Sequence, residues 1–164
     1  MAYADPPYIG QAKKHYGQFE GSEVDHAALV AQLSAEYPDG WALSLSSPSL
    51  RQVLALCPPS VRVMAWVKPF ASFKPNVNPA YAWEPVIVCG GRPRTREQLT
   101  VRDWVSANIT LQTGMPGAKP DDFSLWLFAV LNLQPGDEFV DLFPGSCAVS
   151  RAWAKWQTLL AFAG

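Results

Sequence analysis

The alternation of strand-like and helix-like segments is the feature of this chain that most restricts its fold. Four short apolar segments have the composition of buried strands, namely residues 2–4, 41–46, 61–67 and 83–89. Between the first two, apolar residues recur at helical spacing from a cap at Ser22 to the turn that begins at Pro38. A second, shorter helix is predicted from Ser47 to Leu56. Strands that alternate with helices form a mainly parallel sheet between helical layers, so the predicted fold class is three-layer α/β.

The carboxyl-terminal part of the sequence continues this pattern. Pro120 begins a strongly apolar helix, in agreement with the preference for proline at the first helical position. Three further elements are predicted, namely a strand over residues 138–141, a helix over residues 147–156 and a last strand over residues 159–163. Residues 68–81 and 92–117 have proline-rich or polar composition and are predicted to be irregular loops, which could bind a substrate.

Composition is typical of one globular domain that spans residues 1–164, and the sequence shows no convincing domain boundary. The 49% hydrophobic content supports a substantial core, and no apolar run has the length of a membrane span. The three cysteines are odd in number and widely spaced, so neither a disulfide framework nor a metal site is expected. The amino terminus has no export signal, and we expect a cytoplasmic protein with no membrane partner. A net charge of −1 excludes binding to nucleic acid by bulk electrostatics, so such contacts are local or need a second subunit.

Asp5-Pro6-Pro7-Tyr8 places a carboxylate, two prolines and an aromatic ring directly after the first strand. Each proline fixes its own φ and lacks an N–H, which leaves the carbonyls of Asp5 and Pro6 without a neighbouring donor. An NH2 group could therefore donate one hydrogen bond to the Asp5 carboxylate and another to the Pro6 carbonyl, with Tyr8 beside it. The same residues also fit a proline-braced turn with a half-buried tyrosine.

This tetrapeptide resembles the catalytic motif of the S-adenosylmethionine-dependent amino-methyltransferases, which methylate adenine N6 or cytosine N4 in nucleic acids. The aromatic residue after the prolines resembles the adenine-N6 branch most. The resemblance implies catalytic roles for Asp5, Pro6, Pro7 and Tyr8. In such enzymes the aspartate and the proline carbonyl hold the target amine, and the aromatic ring stacks on the base.

A second motif follows the predicted strand that ends at Asp141. A small turn with Gly145 lets a ligand approach the backbone, and free amides at the next helix start favour an anionic group. The carboxylate of Asp141 can bind an ammonium or a hydroxyl. Glycine at this turn could also serve helix–strand packing alone, and that alternative remains open.

Asp-Leu-Phe-Pro-Gly-Ser at 141–146 is similar to the cofactor-binding motif of the same family. Lys119-Pro120 resembles the Lys-Pro that precedes this motif in permuted members, in which the catalytic half comes first. The resemblance implies a circularly permuted and trimmed Rossmann-like methyltransferase fold, as in compact bacteriophage-type members, with S-adenosyl-L-methionine as cofactor. The residues implied to bind this cofactor are Lys119, Pro120, Asp141, Phe143, Pro144, Gly145 and Ser146.

Two departures from the family pattern and one weaker similarity are also present. Cys147 stands where the family usually has glycine. The family's acidic ribose ligand follows the next strand, and no counterpart is expected within these 164 residues. Trp83-Glu84-Pro85 is weakly similar to a strand of these enzymes that carries an aromatic residue or histidine together with glutamate.

The resemblance implies a nucleic-acid substrate and no separate target-recognition domain. DNA is favoured over RNA, but the sequence does not decide between them. The predicted substrate-binding residues combine basic and aromatic side chains, which can contact phosphate and stack on bases: Tyr8, Lys13, Lys14, His15, Lys68, Phe73 and Lys74. Solvated loops that pack their own rings would have the same composition, so this alternative stays open. A homodimer or a partner subunit also stays open.

The predicted strand order begins at the cofactor side with residues 159–163, followed by 139–141, 2–4 and 41–46. The two remaining strands lie beyond, at least one of them antiparallel, and the ligand crevice lies where Asp5 and Asp141 leave adjacent strands. The function that the resemblance implies is methyl transfer to an exocyclic amine of a nucleic-acid base, with adenine N6 in DNA favoured and cytosine N4 left open. The alternative is a non-catalytic methyltransferase-like subunit that binds nucleic acid or a partner protein. Neither a Gly-x-Ser-x-Gly elbow nor a phosphate-binding Gly-x-x-x-x-Gly-Lys loop occurs, which argues against a hydrolase and a nucleotidase.

Overall fold

The computed structural model describes residues 1–9, 23–70, 76–109 and 118–161. Within them the strands are β1 (Ala2–Ala4), β2 (Gly40–Ser44), β3 (Arg62–Val67), β4 (Trp83–Gly90), β5 (Trp104–Ser106) and β6 (Val140–Asp141). The helices are α1 (His26–Glu36), α2 (Leu50–Leu54), α3 (Asp121–Leu131) and α4 (Ala148–Ala161), and a short 3-10 helix (Ser47–Ser49) leads into α2. None of the helices in these ranges is long and apolar enough to cross a membrane.

The strands form one sheet in the order β5-β3-β4-β2-β1-β6. β1 is parallel to both β2 and β6, and β3 is parallel to β5. β4 is antiparallel to both of its neighbours, β2 and β3. The predicted mainly parallel sheet with an antiparallel member is therefore confirmed. This topology brings the carboxyl ends of the parallel strands and the amino end of β4 to the same edge of the sheet.

Helices cover the two faces of the sheet, which confirms the predicted three layers. Successive side chains of a strand point to opposite faces. On one face Tyr3 and Trp66 pack against the ring of Phe123 in α3. Phe128 of α3 and apolar residues of α4 belong to the same cluster. On the other face Ala2, Ala4, Trp41 and Leu43 pack against α1 and α2 through Leu29, Leu33 and Val53. The core thus fixes β1 from both sides.

Helix starts follow the local chemistry of their first residues. The Asp25 carboxylate caps α1 by accepting hydrogen bonds from the N–H groups of Ala27 at 2.9 Å and Ala28 at 3.0 Å. The predicted cap, Ser22, lies outside the described residues. Pro120 occupies the cap of α3, one position before the predicted one.

The predicted last strand over residues 159–163 is wrong, because α4 continues to Ala161. Residues 162–164 lie outside the described part of the chain. Val149, Ala152, Trp153 and Trp156 recur at helical spacing, and all four pack against the core. Periodicity alone cannot distinguish a short apolar run in a strand from the last turns of a helix.

β5 was not predicted, because it lies within the segment 92–117 that reads as an irregular loop. This strand has only three residues, and Trp104 and Ser106 are exposed. Its hydrogen bonds to β3 are long-range contacts that leave no periodic signal in so short a segment. By contrast, residues 68–70 and 76–81 contain neither helix nor strand, as predicted.

Candidate active site

Asp5 and Asp141 lie at the same edge of the sheet, at the ends of neighbouring parallel strands. β1 pairs with β6 so that Tyr3 lies opposite Asp141, and Asp5 follows β1 directly. The N–H of Leu142 donates to the Tyr3 carbonyl at 2.9 Å, which extends the pairing beyond β6. The predicted adjacency of these two strands is confirmed. The carboxylates are close enough for the charge of Asp5 to contribute to a raised pKa of Asp141, after the larger effect of burial.

Lys119 binds the Asp5 carboxylate. Its Nζ lies 3.0 Å from Asp5 Oδ2 and 3.2 Å from Glu84 Oε2, and its side chain is only 5% exposed. The ring centroids of Trp66 and Phe123 lie 5.1 and 5.6 Å from the same ammonium. Burial acts to lower the pKa of Lys119, but Asp5 and Glu84 raise it, so the side chain is a cation. Its ammonium therefore binds two carboxylates, whereas its predicted contact with a cofactor stays a prediction.

Glu84 links this ion pair to two further side chains. It lies near the amino end of the antiparallel β4, which brings it to the same edge as Asp5. Glu84 Oε1 accepts a hydrogen bond from Lys68 Nζ, and Tyr8 donates another to this carboxylate. Burial acts to raise the pKa of Glu84, but Lys119 and Lys68 outweigh it and lower the pKa. Glu84 was not among the predicted site residues, although an acid in an otherwise apolar strand is a signal that could have found it.

The four charges of this cluster balance. Two carboxylates face two ammonium groups in a largely buried position, where an unpaired charge would be costly. Tyr8, half-buried beside them, has its pKa raised by burial and by the charges of Asp5 and Glu84, so its hydroxyl stays neutral. Such a network fixes side chains and, in the described residues, leaves one acceptor of the cluster unused.

That acceptor is Asp5 Oδ1, which is buried and has no hydrogen-bond partner among the described residues. Nor does any described group donate to the carbonyl of Pro6, which has no donor of its own. A buried acceptor without a donor costs about 1–3 kcal/mol. Burial raises the pKa of Asp5, and Lys119 opposes this shift. The Asp5-Pro6-Pro7-Tyr8 segment thus keeps two acceptors free for donors from outside the described residues.

Asp141 also has a buried carboxylate oxygen that lacks a hydrogen-bond donor among the described residues. Its Oδ2 accepts a hydrogen bond from Ser150 Oγ at 3.1 Å, and its Oδ1 is buried without a partner in the described part of the chain. Burial raises its pKa, and the hydrogen bonds from Ser150 and from the backbone at Phe143 lower it. Ser150 lies in the first turn of α4 and was missed, because nothing in its local sequence links it to Asp141. An ammonium or hydroxyl donor would satisfy Asp141 Oδ1.

The turn between β6 and α4 has two left-handed residues. Gly145 has φ +44°, and a Cβ built on it would meet no atom closer than 3.8 Å. The requirement for glycine here is therefore conformational and does not come from packing. Cys147 has φ +56°, a conformation that costs a residue with a Cβ about 1–2 kcal/mol. This strain explains why glycine suits position 147 in the family that the motif resembles.

A groove of about 400 Å³ lies between the segment before α3 and the first turns of α4. Lys119 and Pro120 line one side, and Arg151 and Lys155 line the other. Arg151 also donates to the Ser146 carbonyl at 2.8 Å, which fixes it beside the glycine turn. The two segments predicted to bind the cofactor therefore lie close together. Arg151 and Lys155 were not predicted, since basic residues on a helix have no distinctive pattern.

The predicted substrate-binding residues are described only in part. Lys68 pairs with Glu84, and its Nζ lies 4.7 Å from the centroid of the Trp66 ring. Tyr8 lies next to this pair. The remaining predicted residues, Lys13, Lys14, His15, Phe73 and Lys74, lie outside the described residues.

Comparisons with known proteins establish the fold. No protein-family model and no curated protein sequence matches the chain. The crystal structure of M1.HpyAVI in complex with SAM matches with a TM-score of 0.56 and 16% identity, over 94% of this chain and 76% of that chain. The crystal structure of M1.HpyAVI alone matches with a TM-score of 0.55 and 15% identity, over 95% and 76% of the two chains. The chain has a Rossmann-like methyltransferase fold.

Proposed function

We propose that this protein transfers a methyl group from S-adenosylmethionine to an exocyclic amine of a nucleic-acid base, adenine N6 in DNA. The observation that carries the proposal is the pair of buried, unpartnered oxygens in the described residues, Asp5 Oδ1 and Asp141 Oδ1, at the ends of adjacent strands. Asp5 Oδ1 could accept a hydrogen bond from a target amine, and Asp141 Oδ1 could accept one from a cofactor. The similar protein M1.HpyAVI was crystallised in complex with SAM, and this agrees with the proposal.

The residues of the second motif fit the cofactor. Asp141 Oδ1 lacks a donor among the described residues, and the ammonium of the methionine moiety would supply one. The backbone of the turn at Gly145 is open to a ligand, and the amino end of α4 favours the carboxylate of the methionine moiety. When bound, S-adenosylmethionine supplies a methyl group that its sulfonium charge has already activated. Asp141, Ser150 and this turn would hold the cofactor at the edge of the sheet.

The residues of the first motif fit the amine. An exocyclic amine is a weak nucleophile, because its lone pair is delocalised into the ring. Asp5 Oδ1 and the Pro6 carbonyl would each accept one N–H, which localises the lone pair and aims it at the methyl carbon. The nitrogen lone pair forms the new N–C bond, and the electrons of the S–C bond pass to sulfur. The nitrogen then releases one proton, for which the Asp5 carboxylate is the acceptor, whereas removal of a proton before methyl transfer is not required.

Tyr8 would hold the base. Its phenol stays neutral, so the ring can stack on a base without bringing charge to the site. A base within a duplex must leave the helix to reach such a pocket. The net charge of −1 implies that contacts with phosphate are local. Basic residues in the segments 10–22 and 71–75 are the candidates from the sequence.

The competing function is a non-catalytic subunit that binds nucleic acid or a partner protein. The low net charge favours it. It predicts no methyl transfer by the chain itself.

Calorimetric titration with S-adenosylmethionine tests the proposal first. We expect binding by the wild-type protein, and Asp141→Asn should weaken it about tenfold or more, since loss of a charged hydrogen bond costs about 1.5–3 kcal/mol. Asp5→Asn should bind the cofactor as the wild type does and lose methyl transfer to DNA. Undetectable binding at millimolar cofactor, with and without DNA, would refute the enzymatic function for this chain.

A further inference from the structure

We propose that Lys119 and Glu84 are positioning residues that fix the Asp5 carboxylate with Oδ2 held and Oδ1 turned to the substrate amine. This inference rests on the proposed function and deepens it. The resemblance assigns Lys119 to cofactor binding, whereas its contacts point to Asp5.

The contacts of Lys119 restrain the rotation of the Asp5 carboxylate. A carboxylate turns broadly about its last torsion unless one oxygen is held. Lys119 holds Oδ2 at 3.0 Å, and its ammonium is itself held by Glu84 at 3.2 Å and by the rings of Trp66 and Phe123. With its side chain 5% exposed, Lys119 has little room for another rotamer. Oδ1 is then the oxygen left for the amine.

Glu84 keeps Lys119 in place. Its two oxygens are used by different donors, Oε2 by Lys119 and Oε1 by Lys68. The four charged side chains form a chain of ion pairs from Lys68 through Glu84 and Lys119 to Asp5. They come from the end of β3, from β4, from the segment before α3 and from the end of β1, so the sheet itself sets their spacing.

Lys119 and Glu84 act on the charge of Asp5 in opposite directions. The positive charge of Lys119 stabilises the Asp5 carboxylate, and the negative charge of Glu84 destabilises it. Lys68 adds a smaller stabilisation. The titratable groups that face Asp5 among the described residues are Lys119, Glu84, Lys68, Tyr3, Tyr8 and Asp141.

The kinetic test compares Lys119→Met with the wild type. A positioning residue affects the transfer step, and a misplacement of about 1 Å costs about 100-fold, so we expect kcat to fall about 100-fold. The Kd for S-adenosylmethionine should change by less than about twofold. A role in cofactor binding alone would instead raise KM without lowering kcat. A Kd raised about tenfold or more with kcat unchanged would overturn the inference and make Lys119 a cofactor ligand.

A titration of the Asp5 carboxyl by carbon NMR gives a readout that needs no activity, with Asp5→Asn to assign the signal. Lys119→Met should raise the apparent pKa of Asp5, and Glu84→Gln should lower it. Such opposite shifts are what a direct ion pair of Asp5 with Lys119, backed by Glu84, requires, so shifts in the same direction, or none, would overturn the inference. Arg62→Gln, at an exposed ion pair, is the matched control and should leave the titration unchanged.

The two proposals fail separately. If the apparent pKa of Asp5 shifts in opposite directions in Lys119→Met and Glu84→Gln but the protein transfers no methyl group, the positioning of Asp5 is supported and the proposed function is refuted. Methyl transfer with equal kcat in Lys119→Met and the wild type would support the function and refute the positioning role. If Lys119→Met does not fold, Glu84→Gln carries the test, since it keeps the shape of the side chain. In Glu84→Gln the acidic limb of the pH profile of kcat should move to lower pH, because the negative charge that raises the pKa of Asp5 is gone. An unmoved limb would overturn the inference.

Discussion

Removal of the buried cation at Lys119 should destabilise the protein far more than removal of an exposed cation. In Lys119→Met the apolar stem keeps its packing, but Asp5 and Glu84 lose their shared ammonium. The loss of one partner from a buried ion pair costs about 3–5 kcal/mol, because a charge stays buried without compensation. The Lys119 side chain is only 5% exposed, so solvent cannot take over its role.

The Arg62–Asp103 pair supplies the comparison. Its atoms lie 3.5 Å apart, and the two side chains are 68% and 59% exposed. Exposed ion pairs contribute about 0–1 kcal/mol, so Arg62→Met should change the free energy of unfolding by less than about 1 kcal/mol. Both substitutions remove one positive charge from the net charge, which leaves burial as the main difference between them.

The pH dependence distinguishes loss of the ion pair from loss of packing. In the wild type the pKa of Glu84 is lowered, so its stabilisation is present above its ordinary value of 4.5 and is lost as pH falls through the folded pKa. In Lys119→Met the carboxylates lose the charge that lowers their pKa values. Protonation in the folded state then relieves the unpaired charges, and the difference in stability from the wild type should shrink as pH falls from 7 towards about 4.

Urea unfolding followed by circular dichroism at a series of pH values measures this difference. We expect about 3–5 kcal/mol at pH 7 for Lys119→Met and a smaller difference at acidic pH. A difference below about 1 kcal/mol at pH 7, equal to that of Arg62→Met, would refute the reasoning. So would a large difference that does not depend on pH, because that would indicate lost packing.

Three further predictions concern the two motifs. Cys147→Gly should stabilise the protein by about 1 kcal/mol in urea unfolding, because Cys147 has φ +56°, and no gain would contradict the assigned strain. Ser150→Ala should weaken cofactor binding in calorimetry by about three- to tenfold, because a hydrogen bond that orients Asp141 is worth about 1 kcal/mol, and an unchanged Kd would contradict this role. The acidic limb of methyl transfer should lie above pH 3.8, since burial raises the pKa of Asp5 and activity is lost as that carboxylate is protonated, whereas a limb below 3.8 would contradict it.

The sequence predicted those parts of the site that depend on local chemistry and on simple topology. Asp5 and Asp141 each end a strand that is short, apolar and followed by a proline-containing turn. Parallel pairing then brings their carboxylates to one edge of the sheet. The three layers were predicted from the alternation of helices and strands, which is also a local feature of the sequence.

The missed parts depend on contacts between distant segments. Glu84 reaches Asp5 only because β4 runs antiparallel between β2 and β3, and its sequence neighbours do not reveal that direction. Ser150 reaches Asp141 only because α4 begins directly after the turn at β6. Residues 159–161 continue a helix because Trp153 and Trp156 already fix its face against α3, a packing choice that periodicity in a short segment does not encode.

The most direct test of the proposed function is to follow the methyl group itself. DNA is incubated with the protein and S-adenosylmethionine that carries a deuterated methyl group, and the digested nucleosides are analysed by mass spectrometry. The proposal predicts deuterated N6-methyladenine with the wild type and none above background with Asp5→Asn. Equal labelling by both proteins, or no labelled nucleoside from a wild-type protein that binds the cofactor, would contradict it.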